Sequence, residues 1–303
     1  REVRLPRECI PTEHLKFAEV WEALLDAMPL AALVRNLGKM TSVGLIKPMS
    51  AAVKTVCDRL ADRDYIRKSR LHPLAILIAA RTYARGRGDK GSLRWEPVSQ
   101  VNDALDAAFY QAFANVEPSG KRTFLALDVS GSMDGSHVAG TTLSAREASA
   151  AMAMVTMRTE PRYHIAGFTA GPHGFGGQWG GGDATLTAVD ISRCSRISDV
   201  MARTAALPMG GTDCSLPMRW ALERKIEVDT FLIYTDSETW AGPIHPVQAL
   251  KQYRERMGIP AKLIVVGMVS NGFSIADPGD AGMLDVVGFD TSAPAVIADF
   301  ARG

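Results

Sequence analysis

The chain has 303 residues, 47% of them hydrophobic, and a formal net charge of +1. A chain of this length can bury two hydrophobic cores, and a charge this close to zero indicates no particular class of partner. No apolar run approaches the roughly 20 residues that cross a bilayer as a helix, so the composition excludes a chain built around such a span.

Helical periodicity extends from the N-terminus to about residue 119. Apolar side chains recur at i, i+3, i+4, i+7 and i+8 in the first predicted helix, which carries Phe17, Val20, Trp21, Leu24 and Leu25. Further helices are predicted from residue 29, over 51–60, over 72–83 and from 98 to about 113. Short helices with brief connections are typical of a helical array or solenoid, to which we assign residues 1–119.

After Gly120 the pattern changes to strands that alternate with helices. Residues 123–128 form a short apolar run that ends in a carboxylate, as expected of a buried parallel strand. Further strands are predicted over 163–168, 230–235 and 261–267, with helices over 144–157, 195–206 and 246–256 and a glycine-rich surface excursion over 171–182. This alternation predicts an α/β domain over 120–303 with a doubly wound, Rossmann-like parallel sheet.

Charge is distributed unevenly between these two parts. Residues 1–120 contain 18 basic and 14 acidic side chains, whereas the remainder contains 16 basic and 19 acidic ones. The first part is therefore mildly basic and the second mildly acidic. This asymmetry favours an anionic partner for the N-terminal part alone.

The cysteines and the N-terminus bear on the cellular compartment. The four cysteines form no Cys-x-x-Cys pair and no disulfide-framework spacing; they are Cys9, Cys57, Cys194 and Cys214. Scattered thiols in a chain of this length favour a reducing compartment. The sequence opens at Arg1 without the features of a signal peptide. We therefore expect a cytoplasmic protein, of which this chain is a part.

Hard oxygen ligands are grouped at the ends of two predicted strands. Asp128 is followed at alternating positions by the hydroxyls of Ser130 and Ser132, which share one side of an extended backbone. A glycine pair presents the Thr212 hydroxyl, and Asp236 ends a later strand. Ligands of an open α/β sheet bind at the carboxyl ends of its strands. Five oxygen donors with two formal charges predict a site for Mg²⁺, or for Mn²⁺ in its place, whereas Ca²⁺ would favour a larger and more acidic cage.

Other interpretations of these residues are weaker. Each could cap a helix or close a turn, but three such segments in this order make coincidence a poor explanation. A phosphatase of the haloacid-dehalogenase type needs a second acid two residues after its nucleophile, where this chain has Ser130. Ser132 lies in no Gly-x-Ser-x-Gly elbow, and no histidine is placed by sequence to activate it. We therefore predict no catalytic residues. A hydrolase is kept as a hypothesis that ranks below the two functions developed in the following paragraphs.

Longer stretches of the sequence are similar to a known family. Residues 29–40, 104–110 and 116–122 resemble the TROVE domain, and residues 210–218, 259–265, 270–278 and 282–285 resemble the A-type domain of the Ro autoantigen family. The similarity runs over nearly the whole chain. The sequence thus resembles the C-terminal half of a Ro protein, a bacterial orthologue being one candidate.

This resemblance implies a fold and a function. Ro proteins are rings of α-helical HEAT-like repeats, closed by a von Willebrand factor A-type domain with a metal-ion-dependent adhesion site. The five residues that match this site are Asp128, Ser130, Ser132, Thr212 and Asp236. Ro proteins bind Y RNAs and the 3′ ends of misfolded noncoding RNAs in RNA quality control. The resemblance therefore implies a ribonucleoprotein component that is not an enzyme and that is a monomeric ring at full length.

A basic segment is the candidate RNA contact. Residues 59–94 carry ten basic and three acidic side chains. Alone, such a segment is better interpreted as a solvated helix face, but with the resemblance we expect Arg81, Arg85 and Arg87 to contact phosphates. Tyr83 and Trp95 could stack on bases, although core packing is the preferred interpretation for both.

The metal site suggests a second kind of partner. The open coordination position would take a carboxylate from another protein or, less readily, an RNA phosphate. The alternative function is therefore a metal-dependent protein–protein interaction module for which RNA is irrelevant.

Overall fold

The computed structural model describes residues 5–88, 91–130, 132–138, 141, 143–170, 184–208, 211–236, 242–268, 275–288 and 292–303. The chain forms two compact units, Arg1–Val116 and Glu117–Gly303. None of the helices in the described ranges has the length and apolar character needed to cross a membrane. The predicted glycine-rich excursion over 171–182 lies outside the described residues.

The first unit is helical throughout its described part. Its helices are α1 (Ala18–Leu25), α2 (Leu30–Ser42), α3 (Ala51–Ala61), α4 (Arg63–Ser69), α5 (Pro73–Ala84) and α6 (Ser99–Gln111), with short 3₁₀ turns at Arg7–Cys9, His14–Lys16 and Ala112–Asn115. The helical N-terminal region is thus confirmed, whereas its HEAT-like repeat character stays a prediction. Helix α4 was not predicted because its sequence buries a single residue, Ile66, and so shows no apolar periodicity.

The core of this unit forms where the apolar stripes of α2, α3, α5 and α6 meet. The side chains without exposed surface include Leu33, Leu37, Val56, Ile76 and Leu105. Phe17 departs from the prediction: it is 56% exposed because it precedes α1 as its N-cap residue and does not lie on the buried stripe of that helix.

The second unit is a six-stranded sheet with helices connecting its strands. The strands are β1 (Arg122–Asp128), β2 (Arg162–Ala170), β3 (Ala184–Ala188), β4 (Thr230–Thr235), β5 (Lys262–Gly267) and β6 (Met283–Val287), in the order β3-β2-β1-β4-β5-β6. The helices are α7 (Ser132–Gly135), α8 (Ala145–Thr159), α9 (Ile197–Ala205), α10 (Leu216–Glu223), α11 (Pro246–Met257) and α12 (Ala293–Arg302). The predicted doubly wound α/β class is confirmed.

The sheet is mixed, whereas the sequence predicted a purely parallel one. Strand β3 pairs antiparallel with β2, and the other pairings are parallel. Parallel neighbours need a crossover connection, whereas an antiparallel pair such as β2 and β3, which are consecutive along the chain, needs none. Strands β3 and β6, with five residues each, and helix α7, with four, were not predicted, because elements this short carry too few residues to establish a period. Helices α10 and α12 were also not predicted.

Helix α8 is buried along almost its whole length. Its buried residues run without interruption from Ala145 to Met157 and include the charged side chains of Arg146 and Glu147. The sequence of this helix is rich in alanine and methionine, so it offers small and adaptable surfaces on every side. Burial on every side of a helix is typical of a core position rather than of a surface layer.

Strand order places one crevice at the centre of the sheet. The chain winds from β1 outward to β2 and later returns to β4 on the other side of β1. The carboxyl ends of β1 and β4 therefore flank the topological switch point, where open α/β sheets bind their ligands. Behind this edge, an apolar cluster fixes the strands; Phe231 of β4, for example, packs edge-on against Tyr253 of α11 at 4.9 Å between ring centroids.

Candidate functional site

Two buried carboxylates stand at the switch point. Asp128 ends β1 and Asp236 directly follows β4, and the two strands are in parallel register with Leu127 opposite Tyr234. Asp128 is 4% exposed and Asp236 is 6% exposed. A buried carboxylate is costly unless hydrogen bonds or a cation stabilise its charge. The groups around these two acids therefore decide what the site can do.

Three segments of the chain converge on Asp128. Its Oδ1 accepts a hydrogen bond from the backbone N–H of Ser130 at 2.9 Å. Its Oδ2 accepts from the Thr212 hydroxyl at 2.9 Å and from the Thr235 hydroxyl at 2.8 Å. The fold thus brings Thr212, which is 84 residues away in sequence, to the predicted carboxylate.

The two serines and Asp236 form the other side of the site. The hydroxyl oxygens of Ser130 and Ser132 lie 2.9 Å apart. Asp236 reaches the same loop through Ser136, whose hydroxyl donates to Asp236 Oδ2 at 3.1 Å. Ser136 in turn follows Ser132 by one helical turn, with its N–H donating to the Ser132 carbonyl at 2.9 Å. The loop over 128–136 therefore contacts both carboxylates.

Thr235 and Ser136 are polar contacts that the sequence analysis did not identify. Thr235 could have been found from strand register, because it continues the pairing of Leu127 with Tyr234 and so faces Asp128. Ser136 had no comparable signal, since its approach to Asp236 depends on the turn that α7 makes after Ser132.

The donor set fits a hard divalent cation. Asp128 and Asp236 supply two carboxylates, and Ser130, Ser132 and Thr212 supply neutral hydroxyls on the same few loops. Within the described residues, no group of three His, Cys, Asp or Glu side chains is close enough to hold a metal. A site of this composition therefore depends on hydroxyl oxygens, which suit Mg²⁺ or Mn²⁺ better than Zn²⁺.

The residues after Thr212 are held firmly in place. Asp213 is 3% exposed, and its Oδ1 accepts hydrogen bonds from the Ser215 N–H at 2.9 Å and from the Ser215 hydroxyl at 2.6 Å. Arg219 lies 3.3 Å from its Oδ2. Asp213 therefore closes the turn into α10 and sets the backbone that presents Thr212.

Cys214, next in the chain, is fully buried. Burial raises the pKa of its thiol to about 12, and the nearby carboxylates of Asp128, Asp213 and Asp285 act in the same direction. The thiol is thus protonated at neutral pH, as expected of a small buried hydrophobe and not of a reactive redox group.

The three candidate RNA-binding arginines lie at the end of α5 and in the loop after it. Arg81, Arg85 and Arg87 are exposed. The loop is tied back by Trp95, whose N–H donates to the Gly86 carbonyl at 3.0 Å, and by an isolated antiparallel bridge between Arg87 and Arg94. Basic side chains are therefore presented from an anchored loop, which lowers the entropy lost when they bind an anion.

Tyr83 and Trp95 anchor this loop by packing against each other within the first unit. Tyr83 is 1% exposed, and the Trp95 indole N–H donates to its carbonyl at 2.9 Å. The two rings stack with centroids 6.2 Å apart. Trp95 also covers Gly38 of α2, where an added Cβ would lie 2.7 Å from the indole ring. Core packing is the role that the structure gives them.

Comparison with known proteins identifies both units. The family model of the TROVE domain matches residues 4–82, and that of the Ro60 vWA domain matches residues 122–301. The RNA-binding protein RO60 of Caenorhabditis elegans is 45% identical over 301 residues, which cover 99% of this chain and 44% of that protein. The RNA-binding protein RO60 of Deinococcus radiodurans is 44% identical over 305 residues, covering 100% of this chain and 55% of that protein.

A solved structure gives the same answer. The crystal structure of the Deinococcus radiodurans Ro (RSR) protein superposes with a TM-score of 0.91 at 44% identity, covering 100% of this chain and 58% of that chain. The chain thus spans about half the length of the relatives that it matches, and those relatives are named as RNA-binding proteins and not as enzymes. The resemblance seen in the sequence is confirmed: the chain belongs to the Ro60 family, with a TROVE part followed by the Ro60 vWA domain.

Proposed function

We propose that this chain is the C-terminal, RNA-binding part of a noncoding ribonucleoprotein and that its vWA domain holds a divalent cation. The observation that carries the proposal is the 44–45% identity to two proteins named RNA-binding protein RO60, which extends over both units of the chain. By the same relationship, we propose small Y RNA-like transcripts and the 3′ ends of misfolded RNAs as its ligands. We place the protein in the cytoplasm as a component of RNA quality control that forms a monomeric ring at full length.

The proposed cation is Mg²⁺ or Mn²⁺, held by Asp128, Ser130, Ser132, Thr212 and Asp236. The support is chemical: each of the two buried carboxylates at the switch point accepts from hydroxyl groups, and the loop whose Ser130 N–H donates to Asp128 brings the Ser130 and Ser132 hydroxyls to 2.9 Å from each other. A bound cation would supply an open coordination position for an acidic group. Among the proposed ligands, Ser132 is exposed whereas Asp128 is buried. The open coordination position would therefore lie at the rim of the sheet.

The proposed RNA contact is electrostatic. Arg81, Arg85 and Arg87 are exposed on one helix end and its anchored loop, so each can reach a phosphate. Each phosphate contact contributes about −0.9 to the slope of log affinity against log salt on a duplex, and about −0.7 on a single strand. Three contacts therefore account for a slope of about −2 to −3.

The test is fluorescence anisotropy of the chain with a structured RNA that carries a single-stranded 3′ tail, in Mg²⁺ and over a salt series. We expect binding that weakens steeply with salt and that loses a slope of about 2 to 3 when Arg81, Arg85 and Arg87 are all changed to Glu. A matched control changes three exposed basic residues of the other unit, Lys225, Lys251 and Arg256, to Glu. Equal losses in both triple variants would refute the assignment to the first unit.

The alternative function is a metal-dependent protein-interaction module. It is favoured by the open position that a cation would offer to a partner's carboxylate. Absence of RNA binding at low salt, together with intact metal binding, would support this alternative against the first proposal.

A further inference from the structure

A buried arginine contacts the loop that carries two of the proposed ligands. Arg146 lies in the first turn of α8, and its side chain is 6% exposed. Its Nη2 donates to the Ser130 carbonyl at 3.0 Å and, more distantly, to the Val129 carbonyl at 3.5 Å. Its Nε donates to Asp134 Oδ1 at 2.6 Å. One guanidinium therefore bridges both ends of the turn that contains Ser132.

Backbone hydrogen bonds between described residues tie the start of α8 to this loop. The Ala145 N–H donates to the Ser136 carbonyl at 2.8 Å, and the Val138 N–H donates to the Leu143 carbonyl at 3.0 Å. Ser144 then caps α8 by accepting from the Glu147 N–H at 3.1 Å. These contacts fix the start of α8 beside the loop, so Arg146 reaches its partners from a rigid helix.

We infer that Arg146 is the positioning residue of the proposed metal site and that it sets the preference of the site for Mg²⁺ or Mn²⁺ over Ca²⁺. The inference rests on the proposed metal function. A planar guanidinium with several donors in a fixed fork can engage the carbonyls and the carboxylate together. The Ser130 carbonyl is then held both by Arg146 and by the Met133 N–H, which fixes the part of the loop that presents the Ser130 and Ser132 hydroxyls.

Carbonyl engagement bears on the choice of cation. Ca²⁺ takes six to eight oxygens and often recruits backbone carbonyls, whereas Mg²⁺ takes six in a tight octahedron and keeps waters. Loss of the guanidinium would leave the Ser130 carbonyl with the Met133 N–H alone, which donates to it at 3.2 Å, and would loosen the loop that presents the hydroxyls. A looser loop suits the flexible coordination of Ca²⁺ better than the near-ideal octahedron that Mg²⁺ demands. Arg146 thus restricts the site through the loop and without touching the cation.

The experiment measures Mn²⁺ and Ca²⁺ affinities of the full chain by calorimetry, for Arg146→Gln and Arg146→Lys. Outer-shell partners typically change metal affinity by about 10- to 100-fold. In both variants we expect the Mn²⁺ affinity to fall by this factor and the Ca²⁺ affinity to fall by less. The ratio of Mn²⁺ affinity to Ca²⁺ affinity should therefore be smaller than in the wild type. Lysine keeps the positive charge but has a single nitrogen, so it cannot bridge Asp134 and the carbonyls together.

The matched control is Arg158→Gln, in the last turn of the same helix. Arg158 Nη2 donates to the Ser195 carbonyl at 3.1 Å, far from the loop in sequence, so this variant tests loss of a partly buried arginine alone. The ratio of its Mn²⁺ affinity to its Ca²⁺ affinity should equal that of the wild type. Asp134→Ala is a second variant that keeps the core intact, because the Asp134 side chain is 60% exposed; it should lose Mn²⁺ affinity in the same direction by a smaller factor.

A metal-free readout keeps this inference separate from the metal proposal. Amide hydrogen exchange of residues 129–136 without metal should be faster in Arg146→Gln than in the wild type, and unchanged in Arg158→Gln. Wild-type chain that binds no Mn²⁺ would overturn the metal site, and with it the claim about selectivity. Wild-type binding with the same metal ratio and the same exchange in Arg146→Gln would overturn the positioning role alone.

Discussion

Asp128→Asn is the sharpest perturbation of the proposed metal site. Asparagine keeps the size and one acceptor oxygen of the side chain, so the Ser130 N–H can still be satisfied, and the hydroxyls of Thr212 and Thr235 can rotate to accept from the amide. The substitution therefore removes charge and leaves most of the hydrogen-bonding geometry in place. In the absence of metal, we expect the variant to be about as stable as the wild type.

The expected loss of metal affinity follows from Coulomb's law. Two unit charges 4 Å apart interact by about 4 kcal/mol at an effective dielectric constant of 20, which is suited to a site at the edge of a protein. Since Asp128 is one of the two carboxylates in the set, its neutralisation should cost at least this much. Each 1.4 kcal/mol is a factor of ten, so the affinity falls about 1,000-fold or more.

The assays are calorimetry with Mn²⁺ and thermal unfolding with and without it. At a metal concentration 100 times its Kd, binding stabilises the folded state by about 2.7 kcal/mol. For a unit the size of Glu117–Gly303, this corresponds to a rise in Tm of about 5–10 °C in the wild type and none in Asp128→Asn. The control is Asp229→Asn, at the opposite end of β4, where the carboxylate pairs with Arg122.

Unchanged Mn²⁺ binding in Asp128→Asn would refute the assignment of the site. A loss of equal size in Asp229→Asn would also refute the reasoning, because it would show that the effect comes from the stability of the unit and not from a ligand.

Three other predictions concern parts of the chain away from the carboxylates. Gly38→Ala should lower the free energy of unfolding by about 1–3 kcal/mol in chemical denaturation, because its Cβ would lie 2.7 Å from the Trp95 ring; an unchanged midpoint would contradict the packing described here. Burial lowers the pKa of His72 from 6.5 to about 4, so the unfolded chain binds a proton that the folded chain does not, and stability should fall as the pH decreases from about 6.5 to 4. His72→Asn, which can still cap Leu74 N–H, should lack this part of the pH dependence in denaturant titrations. Asn115→Ala should destabilise the first unit by about 1–3 kcal/mol, because Asn115 Nδ2 donates to the carbonyls of Ile66 and Leu71; a change below 0.5 kcal/mol would contradict that role.

The acids of the candidate site could be predicted from the sequence because they follow strands that are recognisable without a partner. Strands β1 and β4 are buried over nearly every residue and read as continuous apolar runs. A polar residue that ends such a run is conspicuous, and the topology of α/β folds places it at the ligand-binding edge. Both the α/β class and the convergence of Thr212 on Asp128 followed from that reasoning.

The supporting contacts could not be predicted because they depend on register and on returning loops. Thr235 faces Asp128 only through the pairing of β4 with β1, and Ser136 reaches Asp236 only after the turn of α7. Arg146 lies 16 residues from Ser130, beyond the range of any local periodicity. In the first unit, Trp95 packs over Gly38, although the two residues are 57 positions apart in the sequence, and no spacing rule indicates such a contact.

The burial of α8 from Ala145 to Met157 has a consequence for how this domain can vary. Because no side of this stretch faces solvent, it has no surface positions at which substitutions are tolerated. Overpacking a core with extra methylene groups typically lowers the free energy of unfolding by about 1–3 kcal/mol. Ala148, Ala150, Ala151 and Ala153 are all buried, so most substitutions there would enlarge a side chain that has no room to expand. Diversification of this domain should therefore be concentrated in the loops at the rim of the sheet, while the helix that carries Arg146 changes only through paired substitutions with its neighbours.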